Sequence, residues 1–206
     1  MKELLVATGN REKFREIEWI LRDEVAKLYS PEDFPGMPLV EEDGATFADN
    51  AVKKAQSATS ATGKPVIADD SGLEVDALGG RPGVFSARFA GKDADDSGNN
   101  AKLLDELGNL PEELRSAAFH CVIALCFPDG SCRTFAGALH GVILKEPRGT
   151  DGFGYDPLFL VPEYGRTLAE LPLEVKNVIS HRGKALAKLK EYLRSCEAGK
   201  GEAGKQ

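Results

Sequence analysis

The residues best placed to do chemistry lie in Val66-Ile67-Ala68-Asp69-Asp70-Ser71-Gly72-Leu73, where three apolar residues run into two carboxylates, a hydroxyl and a glycine. A short apolar run bounded by polar and turn residues predicts a buried strand. In open α/β sheets, ligands bind just beyond the carboxyl ends of such strands. Side chains alternate across a strand, so Asp69 and Asp70 are expected on opposite faces. That arrangement is poor for glycoside hydrolysis, in which two carboxylates flank one bond. It suits a division of labour instead: one carboxylate reaches a ligand while the other orients the loop around it. An Asx-type turn closing a strand uses the same residue types, so the rest of the chain has to decide.

Two stretches upstream bear on that choice. Residues 4–7 read as a short buried strand, Thr8-Gly9-Asn10 as a turn, and 11–21 as a helix with Phe14, Ile17, Ile20 and Leu21 on one face. Strand, small-residue turn and helix together aim backbone N–H groups and a helix N-terminus at an anion. Lys13 falls in the first helical turn, where a cation opposes the macrodipole, and a bound phosphate would relieve that conflict. No GxxxxGK[ST] is present, so this is not a P-loop. Further on, residues 31–44 read as a loop ending in the acidic cluster Glu41-Glu42-Asp43. Thr46-Phe47-Ala48-Asp49 matches a capping box, opening a helix that runs to residue 61 and stops at Gly63. That helix carries Lys53 and Lys54, about 100° apart around its axis. An acidic loop before a helix that returns to Asp69-Asp70 could give an oxygen-seeking Mg2+ a second carboxylate.

Downstream, Gly79-Gly80-Arg81-Pro82-Gly83 is a glycine-rich loop, and Asp95-Asp96-Ser97 caps a helix burying Leu103, Leu104 and Leu107. Strands expected over 117–127 and 132–139 flank Pro128-Asp129-Gly130-Ser131, a β-hairpin signal that makes the sheet mixed. His120 and His140 sit in or beside these strands, far from the acidic clusters, and read as structural. Residues 149–157 pack three glycines, two aromatics and two acids before a strand at 158–161. Glycines there let the backbone approach a ligand, and an aromatic can stack on a base. Ser180-His181-Arg182-Gly183, ahead of a terminal helix ending near Cys196, again offers donors to an anion.

The totals exclude several classes. With 206 residues, 42% hydrophobic and 29% charged, the chain has the makings of a soluble core-forming protein. Its apolar runs are too short to span a bilayer, and its start reads as a strand rather than a signal peptide. A net charge of -7 argues against a broad nucleic-acid surface, but leaves room for one phosphate-bearing small molecule held by a few converging cations. Cys121, Cys126, Cys132 and Cys196 show no metal spacing and are expected as reduced thiols of a cytoplasmic protein. The spacing also allows a cross-hairpin contact between Cys126 and Cys132. Residues 197–206, Gly-rich and charged, read as a disordered tail.

Taken together and in order, these blocks resemble the Ham1-like inosine triphosphate pyrophosphatase family, also described as XTP/dITP diphosphatases. The resemblance runs from Leu4 to about Leu193. It rests on Ala7-Thr8-Gly9-Asn10 with Lys13, Thr46-Phe47 with Asn50-Ala51 and Lys54, and Ala68-Asp69-Asp70-Ser71-Gly72-Leu73. Leu78-Gly79-Gly80, Pro82-Gly83, Ser86-Ala87-Arg88, Gly152-Phe153-Gly154-Tyr155-Asp156-Pro157, Lys176 and Ser180-His181-Arg182 complete it. It implies one two-lobed α/β domain over residues 1–196, with a long mixed β-sheet flanked by helices and a nucleotide cleft between the lobes. It also implies a cytoplasmic homodimer, with no nucleic-acid or membrane partner, that uses Mg2+. The implied reaction hydrolyses ITP, dITP and XTP to the monophosphate plus pyrophosphate, keeping deaminated bases out of DNA and RNA. In that likeness Thr8, Gly9, Asn10, Arg11, Glu12 and Lys13 grip the phosphates with Lys54, and Ser71 touches substrate. Asp70 is the general base and shares the metal with Glu41, for which Glu42 is a rival one residue away. Phe153, Gly154, Tyr155, Asp156, Lys176, His181 and Arg182 hold the base.

Two other classes compete. A phosphomonoesterase using Asp70 as nucleophile would place a second Asp two residues on, where this chain has Gly72. A non-catalytic nucleotide-binding module would need the phosphate grip without the acidic metal pair, and both are present.

Overall fold

The computed structural model describes residues 1–203, and side-chain surroundings for residues 1–196. Strand β1 (Glu3–Val6) forms because Leu4, Leu5 and Val6 are all buried. It pairs in parallel with β2 (Lys27–Tyr29) on one side and β3 (Val66–Val75) on the other. The seven-stranded sheet has the order β2-β1-β3-β4-β5-β6-β7, with β4 at Ser116–Cys126, β5 at Cys132–Ile143, β6 at Phe159–Val161 and β7 at Arg166–Thr167. Strand β6 is antiparallel to both β5 and β7, so the sheet is mixed as expected.

The chain divides into two compact units. The first comprises Met1–Asp70, Val122–Gly137 and Arg182–Gln206, and the second Ser71–Cys121 and Ala138–His181. In the first, helix α2 (Phe47–Thr62) buries Ala51, Ala55 and Ala58, side chains small enough for close packing against Leu5, Val66, Ala68 and Ala124. The capping box is present in full, the Thr46 side chain accepting from the Asp49 N–H and the Asp49 carboxylate taking the Thr46 N–H. Gly63 ends the helix in the left-handed region. Helix α1 (Arg11–Leu21) is capped by Asn10, and α5 (His181–Ala203) begins at the Ser-His-Arg segment. In the second unit, α3 (Asp96–Leu107) is capped by Asp95 and packs Leu103 and Leu107 with Leu73, Val75 and Phe159. Helix α4 (Leu173–Ile179) precedes α5.

Several expectations need correction. Sequence reading does not find β2, β7 or α4: the strands are two or three residues long and α4 has only seven. Strand β5 runs past residue 139 to Ile143, because Val142 and Ile143 pair with Leu160 and Phe159 of β6. Cys126 and Cys132, expected as reduced thiols, form a disulfide. Phe127 N–H bonding to the Ser131 carbonyl closes the hairpin and sets these two cysteines opposite each other, their Cα atoms 4.2 Å apart. Close approach of this kind marks a non-hydrogen-bonded cross-strand pair. Cys121 is buried in β4 and Cys196 exposed on α5. The tail expected as disordered overlaps α5 as far as Ala203, and residues 204–206 lie outside the described residues. Among the described residues no helix is long and apolar enough to cross a membrane.

Candidate functional site

Strand β3 presents its two carboxylates to opposite faces, as alternation requires. Asp69 meets α1 and α5: its Oδ2 lies 2.9 Å from Lys13 Nζ and 3.2 Å from an Arg182 nitrogen. Asp70 meets α2 instead, with Lys54 Nζ 2.8 Å from Oδ1 and the Asn50 amide donating to Oδ2 at 3.2 Å. The two faces have different electrostatics. Burial alone would raise the Asp69 carboxyl, but Lys13 and Arg182 outweigh it and hold Asp69 far below the usual carboxylate range. At Asp70 burial wins over the opposing Lys54, so its carboxyl sits above its ordinary value. A carboxylate raised in this way is the better proton acceptor of the pair.

Lys54 also lies 2.8 Å from Glu42 Oε1, so one ammonium joins Glu42 and Asp70. Desolvation would lower this lysine, and the surrounding Asp69, Asp70 and Glu42 carboxylates more than reverse it. Glu41 is exposed. Neighbouring Lys53 pairs with Asp43 at 2.5 Å, so adjacent lysines on α2 hold two members of the acidic cluster. The carboxylates of Glu42 and Asp70 thus converge on one cation position. Two carboxylates completed by phosphate oxygens and water form the donor set Mg2+ takes in phosphate chemistry, so these residues fit the metal the resemblance implies. Among the described residues no three His, Cys, Asp or Glu side chains converge to hold a metal by themselves.

The turn before α1 is braced from within. Asn10 Oδ1 accepts the Glu12 and Lys13 N–H groups, and Asn10 N–H bonds to Thr8 Oγ1. Asn10 therefore takes two of the N–H groups that sequence reading offered to an anion. Lys13 in that first turn is offset by Asp69, a protein carboxylate, rather than by phosphate alone. Thr8 and Gly9 line two hollows of about 480 and 340 Å³, the larger also reached by Glu42 and Lys54 and the smaller by Asn10 and Arg11. Arg11 and Glu12 are exposed, with Arg11 on Glu32 and Glu12 on Arg15.

The second unit gathers the residues assigned to a base. Asp156 is buried and its Oδ2 accepts both Lys176 Nζ, at 2.6 Å, and the Phe153 N–H. The Lys176 ammonium stands 4.7 Å from the Phe153 ring centroid. Gly152 has φ +79°, and a Cβ there would fall 2.2 Å from Asp156 Oδ2, so only glycine permits this loop. Gly154 is held at both ends, its N–H on Asp96 and its carbonyl on Asn100. Burial and the nearby Asp96 push the Tyr155 phenol up, keeping it protonated to donate to the Ser86 carbonyl at 2.8 Å. The His181 ring stacks on Phe119, with centroids 4.7 Å apart. Ser71 is half-buried on β3.

Arg182, the residue after His181, belongs to the first unit and is buried between Asp69 and Glu16, its Nη1 2.5 Å from Glu16 Oε2. Of the remaining histidines, His120 lies 3.3 Å from Glu74 and His140 is exposed on β5.

A family model described as the Ham1 family matches residues 4–192. The chain belongs to the Ham1 family. A relative from Geobacter sulfurreducens, named dITP/XTP pyrophosphatase, is 62% identical over 94% of this chain and 97% of its own length. One of the same name from Desulforamulus reducens is 56% identical over 93% of this chain and 95% of its own length. Among solved structures, a HAM1 protein from Coxiella burnetii superposes with a TM-score of 0.86 at 45% identity, covering 95% of this chain and all of that one. The Staphylococcus aureus Ham1 protein gives 0.85 at 42% identity, covering 94% and 99%.

Sequence reading of this Ham1 chain gives Glu16 no place and quotes Asn50 as a motif residue without a role, and helical spacing points to both. Glu16 lies three residues after Lys13 on α1, and Asn50 four before Lys54 on α2. Side chains at those spacings share a helix face.

Proposed function

We propose that this chain hydrolyses the triphosphates of deaminated purines, ITP, dITP and XTP, to the monophosphate and pyrophosphate. The observation that carries the reading is Lys54 held between Glu42 and Asp70 beside the Thr8–Gly9 turn. It supplies a base, a cation position and a phosphate-facing surface within one unit. Membership of the Ham1 family and the relatives' names give the substrate class. The second unit carries most of the groups assigned to the purine, Phe153 to Asp156, Lys176 and His181, and Arg182, the last of them, opens the final segment of the first unit.

A triphosphate beside two carboxylates is repelled, each pair of unit charges costing about 4 kcal/mol at ~4 Å and an effective dielectric of about 20. Glu42 and Asp70 would hold Mg2+, with Glu41 the alternative to Glu42, and the bound ion would neutralise phosphate charge and polarise the phosphorus. Asp70 takes the proton of the attacking water. The water oxygen bonds to phosphorus, the anhydride bond breaks, and its electron pair leaves with pyrophosphate. Lys54, on the Asp70 face, would neutralise the charge that develops on the departing group; the resemblance gives Lys13 the same part, although here it pairs with Asp69 on the other face of β3. Hydrogen-bond donors directed at a 6-oxo purine would be left unpaired by the 6-amino group of adenine, a polar mismatch that discriminates strongly. The family resemblance carries a cytoplasmic homodimer with it.

The test is product release from ITP and ATP side by side, with Mg2+ or with EDTA. Metal-dependent pyrophosphate from ITP with ATP nearly inert is expected. Release of inorganic phosphate, or equal use of ATP, would overturn the reading.

A further inference from the structure

We infer that Asn50 is a positioning residue: one buried amide couples the Asp70 carboxylate to the acidic segment that carries Glu42. The inference rests on the reading of Asp70 as general base. Asn50 is 1% exposed on α2, and both ends of its side chain are engaged. Its Oδ1 accepts the Gly44 N–H at 2.8 Å and its Nδ2 donates to Asp70 Oδ2 at 3.2 Å. The backbone N–H of Gly44 can only donate, so the amide oxygen must face it and the NH2 must face Asp70. This fixes Asp70 Oδ2 as an acceptor held on α2. Oδ1 is thereby set toward Lys54 and, through it, Glu42, the side on which the proposed chemistry takes place.

The contact to residue 44 is built for close approach. A Cβ on Gly44 would lie 2.6 Å from Asn50 Oδ1 and 2.8 Å from the Asp49 Cβ, so a side chain there would break the tether. Lys53 on Asp43 and Lys54 on Glu42 tie the neighbouring residues to the same helix. The capping box, the Gly44 N–H, Glu42 and Asp70 are therefore all held by side chains or backbone of α2 and its cap. A buried polar group satisfied at both ends specifies a single arrangement. Partners of this kind, which orient groups rather than touch substrate, typically change affinity or activity 10- to 100-fold when removed.

Two variants separate the arms. Asn50→Asp keeps an oxygen for Gly44 but turns an acceptor toward Asp70, while Asn50→Ala removes both contacts. Each is assayed for ITP hydrolysis, for binding of a non-hydrolysable ITP analogue in EDTA, and for exchange of the Gly44 amide proton by NMR. Both variants should lose about 10- to 100-fold in kcat, with KM and analogue affinity within about threefold. Gly44 exchange should accelerate in Asn50→Ala and stay slow in Asn50→Asp. Wild-type kcat in Asn50→Asp, or a loss matched by the fraction of unfolded protein in circular dichroism, would overturn the inference. So would unchanged Gly44 exchange in Asn50→Ala. Wild-type protein that releases no pyrophosphate from ITP would instead defeat the functional reading, and the Gly44 exchange would still judge the tether.

Discussion

Asp69 and Asp70 are adjacent and chemically identical, yet their surroundings drive their carboxyls in opposite directions. Asp69, paired through Oδ2 with Lys13 and Arg182, is a fixed counter-charge, whereas Asp70 is raised by burial and able to accept a proton. Asp70→Asn keeps the shape and the contact to Lys54 but removes the base. Turnover of ITP should fall by about 10² to 10⁴, the usual contribution of a positioned general base, with analogue binding within a few-fold of wild type. Steady-state pyrophosphate release with a parallel binding titration checks this, and near-normal kcat would remove Asp70 from the chemistry. The division between the two carboxylates is legible in the sequence because alternation along a strand is local. The choice between Glu41 and Glu42 is not. It depends on which carboxylate meets Lys54, twelve residues away from Glu42 on another element.

The same contrast holds for whole elements. Helices α1, α2 and α3 announce themselves by their caps, since Asn10, Thr46 and Asp95 bond to N–H groups two or three residues on. Strands β2 and β7 and helix α4 are set by pairing and packing partners distant in sequence, and their own few residues carry no period long enough to read. Helix α2 matters most to the site, because it supplies Lys53, Lys54 and Asn50 and its first turn adjoins Gly44. Thr46→Ala removes the side-chain half of the capping box. A loss of about 1 kcal/mol in stability is expected, read as a lower urea midpoint with an unchanged m-value. The frayed first turn should also raise Gly44 amide exchange. A variant with wild-type midpoint and exchange would mean that packing of Ala51, Ala55 and Ala58 holds the helix start without the cap.

Across the chain as a whole, the Lys13–Asp69–Arg182–Glu16 network joins residues up to 166 positions apart, from α1, β3 and α5. Helical spacing puts Glu16 on the Lys13 face of α1, but no local pattern reveals that Asp69 and Arg182 join them, and the network ties acid stability to the functional strand. Asp69 has a folded-state pKa depressed below its ordinary 3.8, so its stabilisation is complete above that value and is lost as the pH falls through it toward the folded value. Asp70 acts with the opposite sign: its raised pKa gives a contribution present below 3.8 and lost as the pH rises through its folded value. Acidification in EDTA should therefore cost little stability until about pH 4 and then lower the urea midpoint steeply. Asp69→Asn should lose up to roughly 3–5 kcal/mol at neutral pH, since Lys13 loses its carboxylate and Arg182 keeps only Glu16, but its midpoint should decline less below pH 4. Glu3, Glu24, Asp43 and Glu170 are also lowered by their partners, though they sit in or near solvent, where screening reduces such contributions. An equally steep acid limb in Asp69→Asn would assign the lability to those surface pairs and leave the buried network with a positional role at the site.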